Sequence, residues 1–186
     1  MAQFNKFETV VDFSFWKEAC EKYGSIVRYR RGDYFAHAET MLREVGWIIS
    51  GGFKHSIIDS TGKEKAVGFV FDGAVLANYE SAIIGKLMPT NISALEDSEV
   101  WVIPAEIIKN RLAYDPTLEI RFLQALFGQA YEFILHTARY SPAERYEQLI
   151  DRFPRITQLV SLKDIASYLN ISYRQLLRIR DSHLKP

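Results

Sequence analysis

The sequence predicts an α+β fold: an N-terminal antiparallel β-barrel or jelly roll, then a long helix, then a compact helical unit. Three observations carry this. Nine of the ten glycines lie between Gly24 and Gly85, and all six prolines lie at Pro89 or later. The first half is a succession of short β-branched and aromatic runs divided by turn residues. The second half is divided by helix caps. With 186 residues, 48% of them hydrophobic and 25% charged, the chain has the composition of a folded protein of one or two domains. The single cysteine, Cys20, closes no internal disulfide and cannot supply the four thiolates of an iron–sulfur site, so a reducing cytoplasm and no redox cofactor are expected. Apolar runs such as 66–71, interrupted by Gly68, are too short to span a bilayer, and no secretory signal is read. A cytoplasmic protein without a membrane partner is therefore expected.

A helix is expected over 13–23. Strands follow at 26–29, 34–36, 45–49, 53–58, 64–71, 92–95 and 99–103, punctuated by Arg31-Gly32-Asp33, Ser50-Gly51-Gly52 and Asp59-Ser60-Thr61-Gly62. Short strands at such regular spacing suit an antiparallel barrel. From Pro104 the signals are helical. Asp115 before Pro116 is a capping residue with proline at the first helical position, and no proline follows until Pro142. A helix to position 140 would be about 37 Å long. Its apolar residues cover more than one stripe, so more than one face must be buried. Leu123, Phe127, Ala130 and Ile134, at spacings of four, three and four, form a seam for the same helix of a second subunit. The alternative is a central helix buried within one chain. Ser141-Pro142-Ala143-Glu144 is a capping box that starts a further helix, so 139–141 is a hinge.

The most informative stretch runs from Ser161 to Arg180. Ser161 with Asp164, and Ser172 with Gln175, repeat a helix-start signature eleven residues apart, with Asn170 between them. Asparagine tolerates the left-handed backbone that a sharp turn between crossed helices requires. Ile165, Leu169, Ile171, Leu176 and Ile179 then point inward and Ala166 permits close approach, which is the helix-turn-helix pattern. On the second helix Tyr173, Arg174, Leu177, Arg178 and Asp181 share an outward face. Guanidinium groups suit base edges there, because each donates two parallel hydrogen bonds to guanine. Leu177 suits a thymine methyl. Ser161, Lys163, Gln175 and Arg180 suit phosphates. A purely structural helical hairpin is the competing reading.

Together these parts resemble the Crp/Fnr family of bacterial transcription regulators, built on a cyclic-nucleotide-binding-like domain. In the first half the resemblance rests on Arg31-Gly32-Asp33, Ile48-Ile49-Ser50-Gly51, Thr61-Gly62-Lys63-Glu64, Phe71-Asp72-Gly73 and Ala94-Leu95-Glu96-Asp97-Ser98-Glu99-Val100, in order. It implies a sensory barrel at 1–110, a dimerisation helix and hinge at 111–140, and a helix-turn-helix domain at 141–186. It also places base-reading roles on Tyr173, Arg174 and Arg178, with Ser172 at the start of the reading helix. The partners it implies are double-stranded DNA, a second copy of the chain, an effector and RNA polymerase.

One departure stands out. Nucleotide-binding members hold the cyclic phosphate with an arginine, and this sequence has none between Arg43 and Arg111. Lys86 would replace it only as a flexible point charge. Binding of cyclic AMP in the usual way is not expected, and Glu80, Ser81, Lys86, Thr90 and Asn91 are left as the polar groups of a candidate pocket for another small molecule. No enzyme is expected: the four histidines are scattered, with neither metal-ligand spacing nor a nucleophile elbow. The expected function is a dimeric DNA-binding regulator. The alternative is a ligand-binding or protein-interaction module whose helix-turn-helix no longer binds DNA. Charge adds to this. The net charge is zero, yet residues 1–138 carry 14 basic and 18 acidic side chains while 139–186 carry 9 and 5. The positive excess sits where a phosphate backbone would be met.

Overall fold

The structure, a computed structural model, describes residues 13–183. Helix α1 (Ser14–Tyr23) leads into β1 (Ser25–Tyr29), β2 (Tyr34–Ala36), β3 (Glu44–Ser50), β4 (Gly52–Ile58) and β5 (Glu64–Phe71). Then come β6 (Val75–Leu76), a π-helical turn (Glu80–Ile84), β7 (Asn91–Ala94) and β8 (Ser98–Pro104). The strands form two four-stranded antiparallel sheets, β1-β8-β3-β6 and β2-β7-β4-β5. This is the jelly roll the turn spacing predicted. Each of the seven expected runs is a strand. Strand β6 and the π-helical turn were not anticipated: two residues carry no alternation, and the turn ends only because Gly85 takes φ 85°.

Side-chain alternation fills the space between the sheets. Val45, Ile48, Phe53, Leu76, Ile92 and Val100 are buried there, each contributing about 1.5–3 kcal/mol by leaving water. The mouth is closed by Trp16 and Cys20 of α1 and by α2 (Ala105–Tyr114), which buries Ala105, Ile108 and Leu112 in the same core. Position 110, the expected edge of the barrel unit, lies within α2. Burial pushes the Cys20 thiol up to about 12, which leaves it protonated and unreactive near neutral pH.

The β4–β5 hairpin turns on Asp59. Its Oδ1 accepts from the Thr61 hydroxyl (2.7 Å), Thr61 N–H (2.8 Å) and Lys63 N–H (3.1 Å). These bonds hold the carboxyl well below the usual carboxylate range. A bulge sits lower in the hairpin, where His55 pairs with Gly68 and Ser56 with Ala66, leaving Val67 unmatched.

Helix α3 (Pro116–Arg139) begins as its sequence requires, with Leu118 N–H donating to Asp115 Oδ1 at 3.1 Å. One face packs on the barrel. Phe122 is buried within a ring of Phe13, Phe15, Trp16 and Tyr79, whose centroids lie 5.8–6.1 Å away. The other face is bare, with Phe127 73% and Ile134 62% exposed.

Beyond an extended Tyr140 come α4 (Pro142–Arg152), α5 (Ile156–Leu159), α6 (Leu162–Tyr168) and α7 (Tyr173–His183). The capping box at Ser141 and Glu144 is formed in both directions. A second core joins Tyr146, Leu149, Ile156, Ile165 and Leu176 of these helices to Ala66, Phe69 and Leu95 of the barrel. The helical unit thus completes its core on β5.

Gly51 links β3 to β4 at φ 96°, and a Cβ there would collide with the Ser98 side chain and lie 2.8 Å from Ser98 Cα. Ser98 cannot retreat, since its hydroxyl donates to Glu96 C=O at 2.8 Å and accepts from Gly52 N–H at 3.1 Å. Gly51→Ala is expected to lower stability by at least about 2 kcal/mol, through backbone strain and overpacking together. Urea unfolding followed by far-UV circular dichroism reads this directly.

Candidate nucleic-acid interface and adjoining cavities

Two crossed helices, α6 and α7, present the candidate interface. Ser161 caps α6, accepting from Asp164 N–H at 3.1 Å and donating to Asp164 Oδ2 at 2.8 Å. Ser172 caps α7 by accepting from Gln175 N–H at 3.1 Å. Asn170 takes φ 52°, the left-handed turn expected of it. Ile165, Ala166, Leu169 and Leu176 are buried between the helices, while Ile171 and Ile179 are half-buried.

The outer face of α7 carries Tyr173, Arg174, Gln175 and Arg178, all exposed. Leu177 is only half-buried on that face. Ser161, Lys163 and Ser172 are exposed at or near the two helix starts, where backbone N–H groups and lysine suit phosphate oxygens. Arg180 is placed differently. It is half-buried, its Nε is sealed without an acceptor, and it faces Tyr146 of α4 closely enough to draw that phenol's pKa down against the rise from burial. It is less free to extend to a phosphate than its position in the sequence suggests.

Nothing in the sequence signalled how α6 sits on the barrel. The Ser167 hydroxyl donates to Ala66 C=O at 3.2 Å. The Tyr168 ring lies 5.3 Å from Phe69 of β5 and 6.0 Å from Phe133 of α3, and Phe153 lies 5.3 Å from Phe71. Lys54, largely buried, bridges Glu64 at 3.1 Å and Asp164 at 3.6 Å. Helix α6, on which α7 packs, is therefore held by the barrel as well as by its chain connection to α3.

The five polar residues expected to line a pocket are each engaged elsewhere. Ser81 is buried and its hydroxyl accepts from Leu42 N–H at 2.9 Å. Asn91 Oδ1 accepts from Ala38 N–H at 2.8 Å. Glu80 and Lys86 form an exposed ion pair at 2.6 Å. Thr90 Oγ1 lies 3.4 Å from His55 Nδ1. These groups hold the π-helical turn and β7 in place, and none of them lines the two cavities that meet at His55.

One of those cavities, about 220 Å³, lies between β5, the Val75–Tyr79 segment and α3, with Phe122, Leu126 and Gln129 on the helix side. The second, about 310 Å³, continues past Val67, Phe69 and Phe133 toward Tyr168. His55 borders both, and burial lowers it from 6.5 to about 4. Their walls are mainly apolar with few polar anchors, the usual character of small-molecule sites. Among the described residues, no three His, Cys, Asp or Glu side chains gather as metal ligands would. Among them also, no helix is long and apolar enough to cross a membrane.

Residues 26–115 match the family model described as the cyclic nucleotide-binding domain. The barrel is similar to that domain. Solved structures resemble most of the chain at low identity. FixK2 from Bradyrhizobium japonicum is 16% identical with a TM-score of 0.68, covering 86% of this chain and 83% of its own. A putative cyclic nucleotide binding protein from Ruegeria pomeroyi DSS-3 is 17% identical at 0.67, covering 97% and 84%. The c-di-GMP responsive global regulator CLP from Xanthomonas campestris is 12% identical at 0.65, covering 92% and 91%. No curated protein gave a significant match. A cyclic nucleotide-binding domain followed by a long helix and a helix-turn-helix is the Crp/Fnr fold, as the resemblance in the sequence implied.

The depressed His55 sets a pH window. Unfolded, it takes up a proton near 6.5; folded, it resists until about 4. Its contribution to stability is complete above about pH 6.5 and is lost as pH falls toward 4. The melting temperature is expected to fall across that window, and His55→Gln should remove part of the fall, as read by differential scanning calorimetry.

Proposed function

We propose that this chain is a dimeric, sequence-specific DNA-binding transcription regulator of the Crp/Fnr type, acting in the cytoplasm and without enzymatic activity. The observation that carries the reading is the α7 face of Tyr173, Arg174 and Arg178, exposed on a helix fixed from behind by buried Leu176. Arginine at two neighbouring turns supplies the paired donors that guanine edges accept. Lys163, Ser161, Ser172 and Gln175 meet phosphates and set register, with Arg180 a lesser contributor because of its burial. The alternative, a module that binds protein through this face, is less favoured. Leu177 is half-buried, which leaves Tyr173 as the one large apolar side chain exposed on α7 among the described residues.

The second copy docks along α3. Leu123, Phe127, Ala130 and Ile134 are all exposed, and Tyr131 extends the strip by stacking on Phe127 at 6.1 Å. An apolar strip of that length on a charged chain marks an interface. Parallel pairing would set two α7 helices against half-sites roughly 34–36 Å apart. The cavities at His55 lie between the barrel and α3, so an effector there would act on the dimer helix directly. The missing arginine supports an effector other than a cyclic nucleotide held in the usual way. A contact with RNA polymerase would fall on the barrel or helical surface left free by DNA.

In a gel-shift with genomic fragments at fixed salt, Arg174→Ala and Arg178→Ala are each expected to cost about 1–3 kcal/mol per half-site, while Lys86→Gln leaves binding unchanged. Binding by both arginine variants at the wild-type level would reject the assigned face. Phe127→Glu with Ile134→Glu should sediment as a monomer at micromolar concentration, against a wild-type dimer, because two buried carboxylates per chain are not tolerated in an apolar seam.

A further inference from the structure

We infer that the 220 Å³ cavity takes an uncharged, flat molecule that presents a hydrogen-bond acceptor to the indole N–H of Trp16. The occupant is the effector of the proposed regulator, so its chemistry rests on that reading. The cavity reaches farther than β5 and α3, since Phe13 and Trp16 at the start of α1 also line it. Trp16 is 1% exposed, and its Nε1 is sealed from solvent without an acceptor among the described residues. That nitrogen is the sole polar atom of an indole and can only donate. A buried indole N–H ordinarily finds a partner, because withdrawing it from water unpaired is costly. Trp16 stacks on Phe122 at 5.9 Å with the ring planes 26° apart, which fixes the direction of its N–H.

The walls decide what kind of molecule brings the acceptor. Among the described residues, no Asp, Glu, Lys or Arg lines the cavity. Burial keeps the His55 ring neutral near pH 7. A carboxylate or phosphate there would lose its hydration and meet no counter-charge, which excludes anions. The rings of Phe13, Tyr79 and Phe122, with Val70 and Val75, form a surface suited to a flat ring. An apolar cavity of about 150 Å³ accepts benzene, so 220 Å³ suits one ring with a short substituent. The other polar groups on the walls are His55, Tyr79 and Gln129. Tyr79 gives its hydroxyl proton to Glu119 at 3.0 Å, and His55 turns Nδ1 toward Thr90 at 3.4 Å. The half-buried Gln129 amide is left as a second anchor. A molecule held by Trp16 and Gln129 would touch α1 and α3 together, at the aromatic ring that anchors α3 to the barrel.

Proton–nitrogen NMR of the full chain without DNA tests this, with acetophenone, toluene and benzoate as probes. The Trp16 indole resonance is told from those of Trp47 and Trp101 by its loss in Trp16→Phe. In unmodified protein it should move downfield and saturate with acetophenone, whose carbonyl is the acceptor, and show no saturable shift with benzoate. This reading needs no variant to bind. In Trp16→Phe, which keeps an aromatic ring but removes the donor, the preference for acetophenone over toluene should shrink about threefold to tenfold, followed on the Gln129 amide. A Trp16 N–H that stays still at millimolar acetophenone would overturn the assignment. So would benzoate binding at least as tightly as acetophenone, or an unchanged acetophenone-to-toluene preference in Trp16→Phe. A water cross-peak on the indole N–H that no probe displaces would also overturn it, since the acceptor is then a buried water. The titration contains no DNA, so its failure and a failed gel-shift are told apart.

Discussion

Strand β5 is buried from both sides, and the arrangement of the molecule follows from that. Val70 packs toward the barrel core, while Ala66 and Phe69 enter the core of the helical unit. A regular strand would put Ala66 and Phe69 on opposite faces. The unmatched Val67 shifts the alternation by one residue, so both meet α6. Without that bulge the helical unit would lack part of its core and α6 would lose its seat on the barrel.

Helix α3 is loaded in an equally two-sided way. Its barrel face is anchored by Phe122 in the ring around Trp16, and Tyr79 adds a hydroxyl bond to Glu119 at 3.0 Å. Its far face is an apolar strip. In the proposed dimer, a rigid helix in contact with the barrel on one side and with a second copy on the other would convey a change in barrel packing to the dimer geometry, since packed interfaces shift between discrete arrangements and do not deform smoothly. The cavities at His55 lie along this helix, one against Phe122 and Leu126 and the other running on to Phe133 and His136.

Charge is divided along the same lines. The acidic excess of the first 138 residues and the basic excess of the last 48 cancel in the total. Among the described residues, ion pairs that join the two segments include Lys54 with Asp164 and Arg155 with Glu96 at 3.9 Å. Arg174 and Arg178 remain outward, available to an anionic polymer.

Caps, turns and the helix-turn-helix were legible in the sequence because they are local. Asp115, Ser141, Ser161, Asn170 and Ser172 act on backbone groups within four residues, so their chemistry is complete before any tertiary contact forms. The apolar strip on α3 was legible for the same reason, as periodicity on one element. The partners of the polar residues near the π-helical turn were not legible, because a hydroxyl or amide reads the same in sequence whether it binds a ligand or a backbone N–H: Ser81 and Asn91 accept from Leu42 and Ala38, about forty and fifty residues away in the chain. The docking of α6 on β5, the burial of Arg145 and the half-burial of Arg180 were decided by tertiary structure alone. Each depends on which surfaces meet across about a hundred residues or around a hinge, and no local pattern encodes that.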